Sequence, residues 1–317
     1  MLKFSIVTPV LNMADTIRDC IESVARQVED VGAIQHIVVD GGSDDGTLEI
    51  VAEFPHIELI HEAASGIYVA MNRGIGAARH VVVGIVNADD LLEPGALAAV
   101  AEVLEANPIA QIIAGLAVVE EGVSGEREVV RVAPVRGHRE QTWDLLFHGS
   151  MPTNAYFFRR AVFDSYGSFN TDYAICSDRE LFIRFKLAEI PTVPLSKVLY
   201  RYLAHEGSTT MNAERRHELR MCKERIDIAE DYLAGGKLSP ALAQRFRRWI
   251  AAEWARVTMA TAGAGEWAAA WQAIRAGVKI SAGGFLLFLL RRAVAIATAR
   301  LRRWSMRRSR RHREFFA

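Results

Sequence analysis

Apolar and polar positions change rhythm along this chain. Between Phe4 and about Leu116, short apolar runs alternate with stretches whose apolar residues recur every three or four positions. The runs predict strands at Phe4 to Thr8, Gln35 to Val39, Ile57 to Ile60, Val81 to Val86 and Gln111 to Leu116. The periodic stretches predict helices at Ala14 to Arg26, Gly46 to Glu53, Tyr68 to Ala78 and Pro94 to Glu105, the last opened by a proline whose missing N–H costs little there. Such alternation is the pattern of a mostly parallel sheet with helices on its faces. From Val118 to Val132 the residues alternate and include Gly122 and Gly125, predicting a hairpin in place of another crossover. Strands follow near Asn154 to Phe158 and Thr192 to Tyr202, with a helix from about Asp178 to Ala188.

After Met211 the rhythm is helical, at Glu214 to Ala234, Pro240 to Thr261 and Gly265 to Val278. Trp249, Trp254, Trp267 and Trp271 recur there at helical spacing, which predicts core packing between helices. Phe285 to Leu290 is wholly apolar, but Arg291 and Arg292 follow at once and break a span of about twenty apolar residues. Each arginine at mid-bilayer costs about 2.5–3.5 kcal/mol on insertion scales, so a surface helix is the better expectation. On it Leu286, Leu290, Ala293, Ala297, Leu301 and Trp304 share one face, and Arg292, Arg300 and Arg303 point the other way.

Charge sharpens this division. The net charge is zero, yet Arg291 to Ala317 holds ten arginines against one glutamate, leaving 28 basic and 37 acidic residues before it. An acidic body repels phosphate backbones and carries no nucleic-acid motif, so the basic tail is matched to anionic lipid and not to RNA. At 317 residues, half of them hydrophobic, the chain is long enough for one large domain and an appendage. Cys20, Cys176 and Cys222 are odd in number and widely spaced, which argues against disulfides and fits a reducing compartment. Met1-Leu2-Lys3 leads directly into a strand, and no signal peptide is expected.

The chemistry gathers where strands end. Asp40 closes one apolar run and opens Gly41-Gly42-Ser43-Asp44-Asp45-Gly46-Thr47; a second run ends in Asn87-Ala88-Asp89-Asp90. In an open α/β sheet the carboxyl ends of the strands form the ligand crevice, so these acids are expected at one mouth. Crowded carboxylates repel unless something positive sits among them, and a divalent cation carrying a phosphorylated ligand meets that need. A dehydrogenase would need G-x-G-x-x-G after the first strand, where this chain has Thr8-Pro9-Val10-Leu11-Asn12; Gly74 and Gly76 lie inside a helical stretch. A P-loop is also missing.

Four segments in register, Thr8 to Asn12, Asp40 to Thr47, Gly66-Ile67-Tyr68-Val69-Ala70-Met71-Asn72-Arg73-Gly74 and Asn87 to Asp90, resemble family 2 glycosyltransferases of the bacterial exopolysaccharide and colanic-acid type. The resemblance covers roughly Phe4 to Ser208. It implies a GT-A fold, α/β with a mixed, mostly parallel sheet and helices on both faces, and a C-terminal helical extension. Residues 1–210 would form the catalytic domain, with a nucleotide-binding half at 1–117 and an acceptor half at 118–210. A helical extension at 211–280 and a basic amphipathic membrane-associating tail at 281–317 would follow.

The same resemblance implies roles. Thr8, Pro9 and Asn12 would line the nucleotide pocket, Asp40 would accept a hydrogen bond from the pyrimidine, Asp89 would touch the donor ribose, and Gly66 and Asn72 belong to the donor-binding set. Asp90 would hold Mn2+ or Mg2+ at the diphosphate, with Asn87, where relatives have aspartate, in a lesser part. Ala64 and Val69 stand where relatives often carry acids. Asp44 and Asp45 are read as caps of the helix near Thr47. Asp178 in Cys176-Ser177-Asp178-Arg179-Glu180 matches the general base, against the alternative that it or Ser177 caps a helix; Glu180 is the fallback. His205 falls where relatives place a loop histidine, and His148 with Met151 to Asn154 falls near the acceptor pocket.

The function so implied is metal-dependent, inverting transfer of a sugar from a nucleotide-diphosphate donor, UDP-linked by preference, to a lipid-linked oligosaccharide or polysaccharide precursor. The enzyme would be cytoplasmic, peripheral on the inner face of the membrane. A nucleotidyltransferase would need a glycine-rich basic loop after the first strand, which is missing, and an inactive scaffold would have no use for Asp40, Asp89, Asp90 and Asp178 together.

Overall fold

The computed structural model describes residues 2–62, 66–121, 128–133, 142–149, 153–203 and 215–315, with side chains in the last segment described as far as Arg292. The chain divides into two units, Met1–Asn212 and Ala213–Ala317.

In the first unit, β1 (Phe4–Val10) lies between β2 (Gln35–Asp40) and β4 (Val82–Ile85), parallel to both, and β3 (Ile57–His61) extends β2 in parallel. Connections through α1 (Ile17–Ala25), the short α2 (Val28–Val31), α3 (Thr47–Ala52) and α4 (Ile67–Ala77) return the chain each time to the end of the sheet where the next parallel strand starts. β5 (Leu91–Leu92) and α5 (Ala96–Ala106) follow, then the hairpin of β6 (Ile112–Glu121) and β7 (Glu128–Ala133). Next come α6 (Trp143–His148), a 3-10 turn (Thr153–Ala155), β8 (Tyr156–Arg159), α7 (Arg160–Tyr166), α8 (Ser177–Leu187) and β9 (Thr192–Leu203). The sheet runs β3-β2-β1-β4-β8-β6-β9-β5, with β7 on β6; β8 is antiparallel to β4 and β6, and β9 is parallel to β6.

Strand alternation divides the core between the two sheet faces. Phe4 and Ile6 of β1 join Cys20, Val24, Leu97 and Val100 of α1 and α5 in one cluster. Val7 points the other way, and a Cβ on Gly74 of α4 would stand 2.3 Å from its Cγ1, so the missing side chain lets α4 lie close on the sheet. Helices therefore cover both faces of the parallel part, as the apolar pattern predicts. The predicted strands and longer helices of this unit are present, several with shifted ends. α5 starts at Ala96 after a left-handed Gly95, so Pro94 stands ahead of the helix and not in its first turn.

The second unit comprises α9 (Arg215–Ala234), α10 (Pro240–Gly263) and α11 (Trp267–Phe315). Ser239 caps α10 by accepting the Leu242 N–H, with Pro240 next to it. Glu253 of α10 is fully buried and held by Arg256 at 3.0 Å, Arg225 at 3.6 Å and the Trp249 indole at 3.0 Å. The helix expected to stop at Val278 ends within three residues, at non-helical Ser281 (φ −162°, ψ 93°), and a second helical stretch runs on to Phe315. One expectation is corrected here. Trp249 is buried and Trp254 partly so, but Trp267 is 71% and Trp271 63% exposed, because those two lie off the side of α11 that meets α10.

Candidate active site

The strand order reverses at β1, with β2 and β3 to one side and β4 to the other, and the loops leaving these carboxyl ends lie where an open α/β sheet places its ligand crevice. The β1 and β2 loops are sewn together. Asn12, at φ 53°, donates its N–H to Ser43 Oγ at 2.9 Å and accepts the Asp44 N–H on Oδ1 at 2.9 Å. Asp45 accepts the Ala14 N–H at 3.0 Å and the Thr47 N–H at 3.0 Å, so from the position ahead of Gly46, the N-cap of α3, it bridges the first helical N–H to the β1 loop; Asp44 contributes its backbone N–H.

Asp40 is buried and accepts the Gly42 N–H at 3.0 Å and the Ser43 N–H at 3.1 Å, with His61 Nδ1 at 3.5 Å. Burial raises its pKa, but the hydrogen bonds from Ser43, Gly42 and His61 outweigh that and hold the carboxyl below its ordinary value. Thr8 and Pro9 are buried in β1, and the Thr8 hydroxyl is bonded to His36 Nε2 at 3.0 Å, so that hydroxyl serves the sheet.

After β4 the chain turns through Asn87 and presents Asp89 and Asp90. Asp90 is 3% exposed. Its Oδ1 accepts the Leu203 N–H at 3.0 Å, and its Oδ2 accepts the Tyr200 hydroxyl at 2.8 Å and Asn87 Nδ2 at 3.4 Å. Burial first, then the neighbouring Asp89, push the Asp90 carboxyl up to about 8 despite these donors. Asn87 Oδ1 is buried without a hydrogen-bond partner. Among the described residues no three His, Cys, Asp or Glu side chains form a ready cage, and a Mg2+-like ion held by one or two carboxylates and a phosphate needs none.

The tie to the later part of the sheet is Tyr200 on β9. Its hydroxyl accepts the Asn87 N–H at 3.1 Å and Asn154 Nδ2 at 2.8 Å and donates to Asp90. Thr153, next to Asn154, donates its hydroxyl to Asp178 Oδ2 at 2.9 Å. Burial first, then the charge of Asp90, with Asp178 and Asp89 adding to it, raise the Tyr202 phenol above its ordinary value. Asp90 and Asp178 are thus linked through Tyr200 and the Thr153–Asn154 pair.

Asp178 stands in the first turn of α8, partly exposed. α4 positions that turn: the Tyr68 hydroxyl donates to Ile175 O at 3.0 Å, and the Asn72 amide both donates to Phe169 O at 2.8 Å and accepts its N–H at 2.9 Å. Gly66, at φ 102°, starts α4 at the angle this requires. Burial and the charge of Asp178 raise the Tyr68 phenol well above its ordinary value. Asn72 therefore spends both ends of its side chain on the Phe169 backbone. Glu180, the fallback base, is buried and paired with Arg184 at 2.7 Å. The segment 204–214, including His205, lies outside the described residues, as do Met151 and Pro152. His148 is exposed at the end of α6.

Tyr200, Asn154 and Thr153 carry roles that sequence reasoning missed or left general. Tyr200 lies 110 residues from Asp90 in an ordinary apolar strand, and no local signal marks it. Thr153 and Asn154 were flagged only by position.

The glycosyl transferase family 2 model matches residues 5–166, just over half of the chain. The chain is similar to the PGL/p-HBAD biosynthesis glycosyltransferase of Mycobacterium tuberculosis, 32% identical over 188 residues that cover 57% of this chain and 68% of that protein. Among solved structures it resembles S. aureus TarS 1-349 in complex with UDP-GlcNAc, with a TM-score of 0.61 at 15% identity over 88% of this chain and 92% of that one. It also resembles the mannosyltransferase PcManGT of Pyrobaculum calidifontis in complex with GDP-Man and Mn2+, with a TM-score of 0.52 at 18% identity over 89% and 86%. The fold is GT-A, and the chain belongs to glycosyl transferase family 2, a family of glycosyltransferases.

Proposed function

We propose that this enzyme transfers a sugar, with inversion, from a nucleotide-diphosphate donor, UDP-linked by preference, to a lipid-linked oligosaccharide or polysaccharide precursor. The observation that carries the reading is the hydrogen-bond chain from Asp90 through the Tyr200 hydroxyl to Asn154, whose neighbour Thr153 bonds Asp178. The complexes of TarS with UDP-GlcNAc and of the mannosyltransferase with GDP-Man and Mn2+ support the donor class and the cation.

The residues fit Mn2+ or Mg2+. Asp90 is a buried carboxyl pushed up to about 8, a penalty that nearby positive charge relieves, and Asn87 Oδ1 is a buried oxygen without a partner. Asp90, with Asn87 and Asp89 beside it, would hold the ion through hard oxygen ligands. When bound, the cation supplies the positive charge that makes a nucleoside diphosphate a competent leaving group.

On the acceptor side, Asp178 has one oxygen engaged by Thr153 and the other by the Arg179 N–H at 2.7 Å. A carboxylate has about four lone-pair sites, so capacity remains for a third hydrogen bond. Asp178 takes the proton of the acceptor hydroxyl as that oxygen bonds to the anomeric carbon, and the bond from that carbon to the diphosphate oxygen breaks. One displacement at one carbon gives inversion. Asn12, Asp40 and the Gly42–Ser43 turn shape the floor on which the nucleoside lies. Arg291 to Ala317, with its ten arginines, would draw the enzyme to the anionic inner face of the membrane, where a lipid-linked acceptor resides.

The test is thermal stabilisation and donor hydrolysis across UDP-, GDP- and dTDP-sugars with Mn2+, Mg2+ or chelator. Stabilisation by one nucleotide class that strengthens with metal is expected. No response to any donor in any condition defeats the reading.

A further inference from the structure

Among the described side chains, α11 presents large apolar ones to solvent: Trp267, Trp271 and Val278 before the break at Ser281, and Leu286, Leu287 and Leu290 after it. At about 100° per residue, Trp267, Trp271 and Val278 fall within about 40° of one another, and so do Leu286 and Leu290. Both groups are turned away from the centre of the side packed on α10. Before the break that side is centred on buried Ala270, Ala273 and Gly277, with partly buried Ile274 at its border; after it, on Phe285, Phe288 and Leu289 and on Gly284, where a Cβ would stand 3.1 Å from the Arg248 Cα. Exposed Arg275 and Lys279 flank the first group, and exposed Arg291 and Arg292 directly follow Leu290.

We propose that the two apolar groups α11 exposes, Trp267 to Val278 before the break and Leu286 to Leu290 after it, both lie against an anionic lipid surface, with Trp267 and Trp271 seated at headgroup level. The inference rests on the membrane reading above and moves its apolar anchor upstream of the arginine-rich tail. Indole rings and the stems of Arg and Lys favour that depth, because each has an apolar body and a polar end. Charge selects lipid over a second copy of the chain: two faces bordered by arginines repel each other, and acidic headgroups attract both.

The same features decide between lying flat and crossing. Trp267–Arg292 has the length and mean hydropathy, 1.6, of a span. Ser281 interrupts it, however, and the stretch before the break is shorter than the about twenty residues a crossing needs. Arg275 and Lys279 lie within it. Its other side is already joined to α10, which carries the buried Glu253 with Arg225 and Arg256. Entering the hydrocarbon would strip α11 from α10 or take that charged cluster along.

The experiment is flotation of the full chain with phosphatidylcholine vesicles, with and without phosphatidylglycerol, at low and high salt, combined with tryptophan quenching by brominated acyl chains. Trp267→Ala with Trp271→Ala is expected to weaken partitioning about tenfold at both salt levels and to abolish most of the quenching. Deleting residues 293–317 should weaken binding mainly at low salt and leave quenching in place. Trp267→Phe with Trp271→Phe, which keeps much of the apolar area, should retain intermediate binding and guards against a folding defect. If the wild type floats and quenches no better than the double alanine variant, this proposal is overturned while the tail reading stands. If the wild type binds no vesicle, both fall. Carbonate-resistant insertion with residues beyond Arg292 protected from protease would mean a span, and a lipid-free dimer lost in the double variant would mean a self-association face; either overturns it.

Discussion

The hydroxyl of Tyr200 has one proton and two lone pairs, and all three are committed, to Asp90, the Asn87 N–H and Asn154. Removing it strands a buried carboxyl, a backbone N–H and an amide at once. Tyr200→Phe is therefore expected to cost about 2–3 kcal/mol in urea unfolding, at the upper end for an unsatisfied buried group, and to weaken Mn2+ affinity measured by calorimetry. Asp178 and Glu180 make a different contrast. Two positions apart on α8 they point to nearly opposite sides, one to Thr153 and the crevice, the other to Arg184. Asp178→Asn should lower kcat by about 10²–10⁴ and leave donor affinity nearly unchanged. Glu180→Gln should reduce stability in the melting curve and spare kcat. Equal kinetic loss from both would remove Asp178 from the base position. The motif around these residues is legible in sequence; which acid faces the crevice is not, because that depends on what α8 packs against.

At the scale of elements, α4 shows why a motif can be right in place and incomplete in meaning. Gly66 to Gly74 reads as donor-binding by resemblance, yet Tyr68 and Asn72, four residues apart on one side of the helix, hold the segment that leads into α8 and Asp178. Gly74 serves the opposite need, close approach to the sheet. Gly74→Ala would drive a methyl into the stiff, buried Val7 side chain and should cost about 1–3 kcal/mol, read as a lower urea midpoint at constant m-value. The long strands and helices of the parallel half were readable because one apolar period persists across each. β5, α2, α6 and α7 were not, since two to seven residues hold no period. The tryptophans of α11 failed for a related reason: helical spacing tells which residues share a side, and only packing tells whether that side is covered.

For the whole molecule, pH links the interior of the first unit to its stability. His36 of β2 is buried, donates to or accepts from Thr8, and burial, with His56 adding to it, lowers its pKa from 6.5 to about 3. The folded state keeps it neutral while the unfolded chain protonates it below 6.5. Its contribution is therefore fully present above that value and is lost as pH falls toward about 3, at about 1.4 kcal/mol per unit. Urea titrations from neutral to acid pH should show this decline, and His36→Gln should flatten it; an unchanged slope would assign the acid sensitivity elsewhere. The acidic crevice and the arginine-rich end occupy separate units, a division the charge count along the chain anticipates.

By itself the sequence determined the α/β class, the residues at the strand ends, the carboxylates gathered there and the basic end of the chain. These follow from local periodicity, from the rule that ligands bind beyond the carboxyl ends of strands, and from charge. Tertiary structure alone decided that β8 runs antiparallel beside β4, that Tyr200 joins Asp90 to the Asn154 turn, that Glu180 is paired away, and that Trp267 and Trp271 are left uncovered. Each of these is a contact between residues far apart in the chain, and no local pattern encodes which partner a buried polar group or an apolar side will meet.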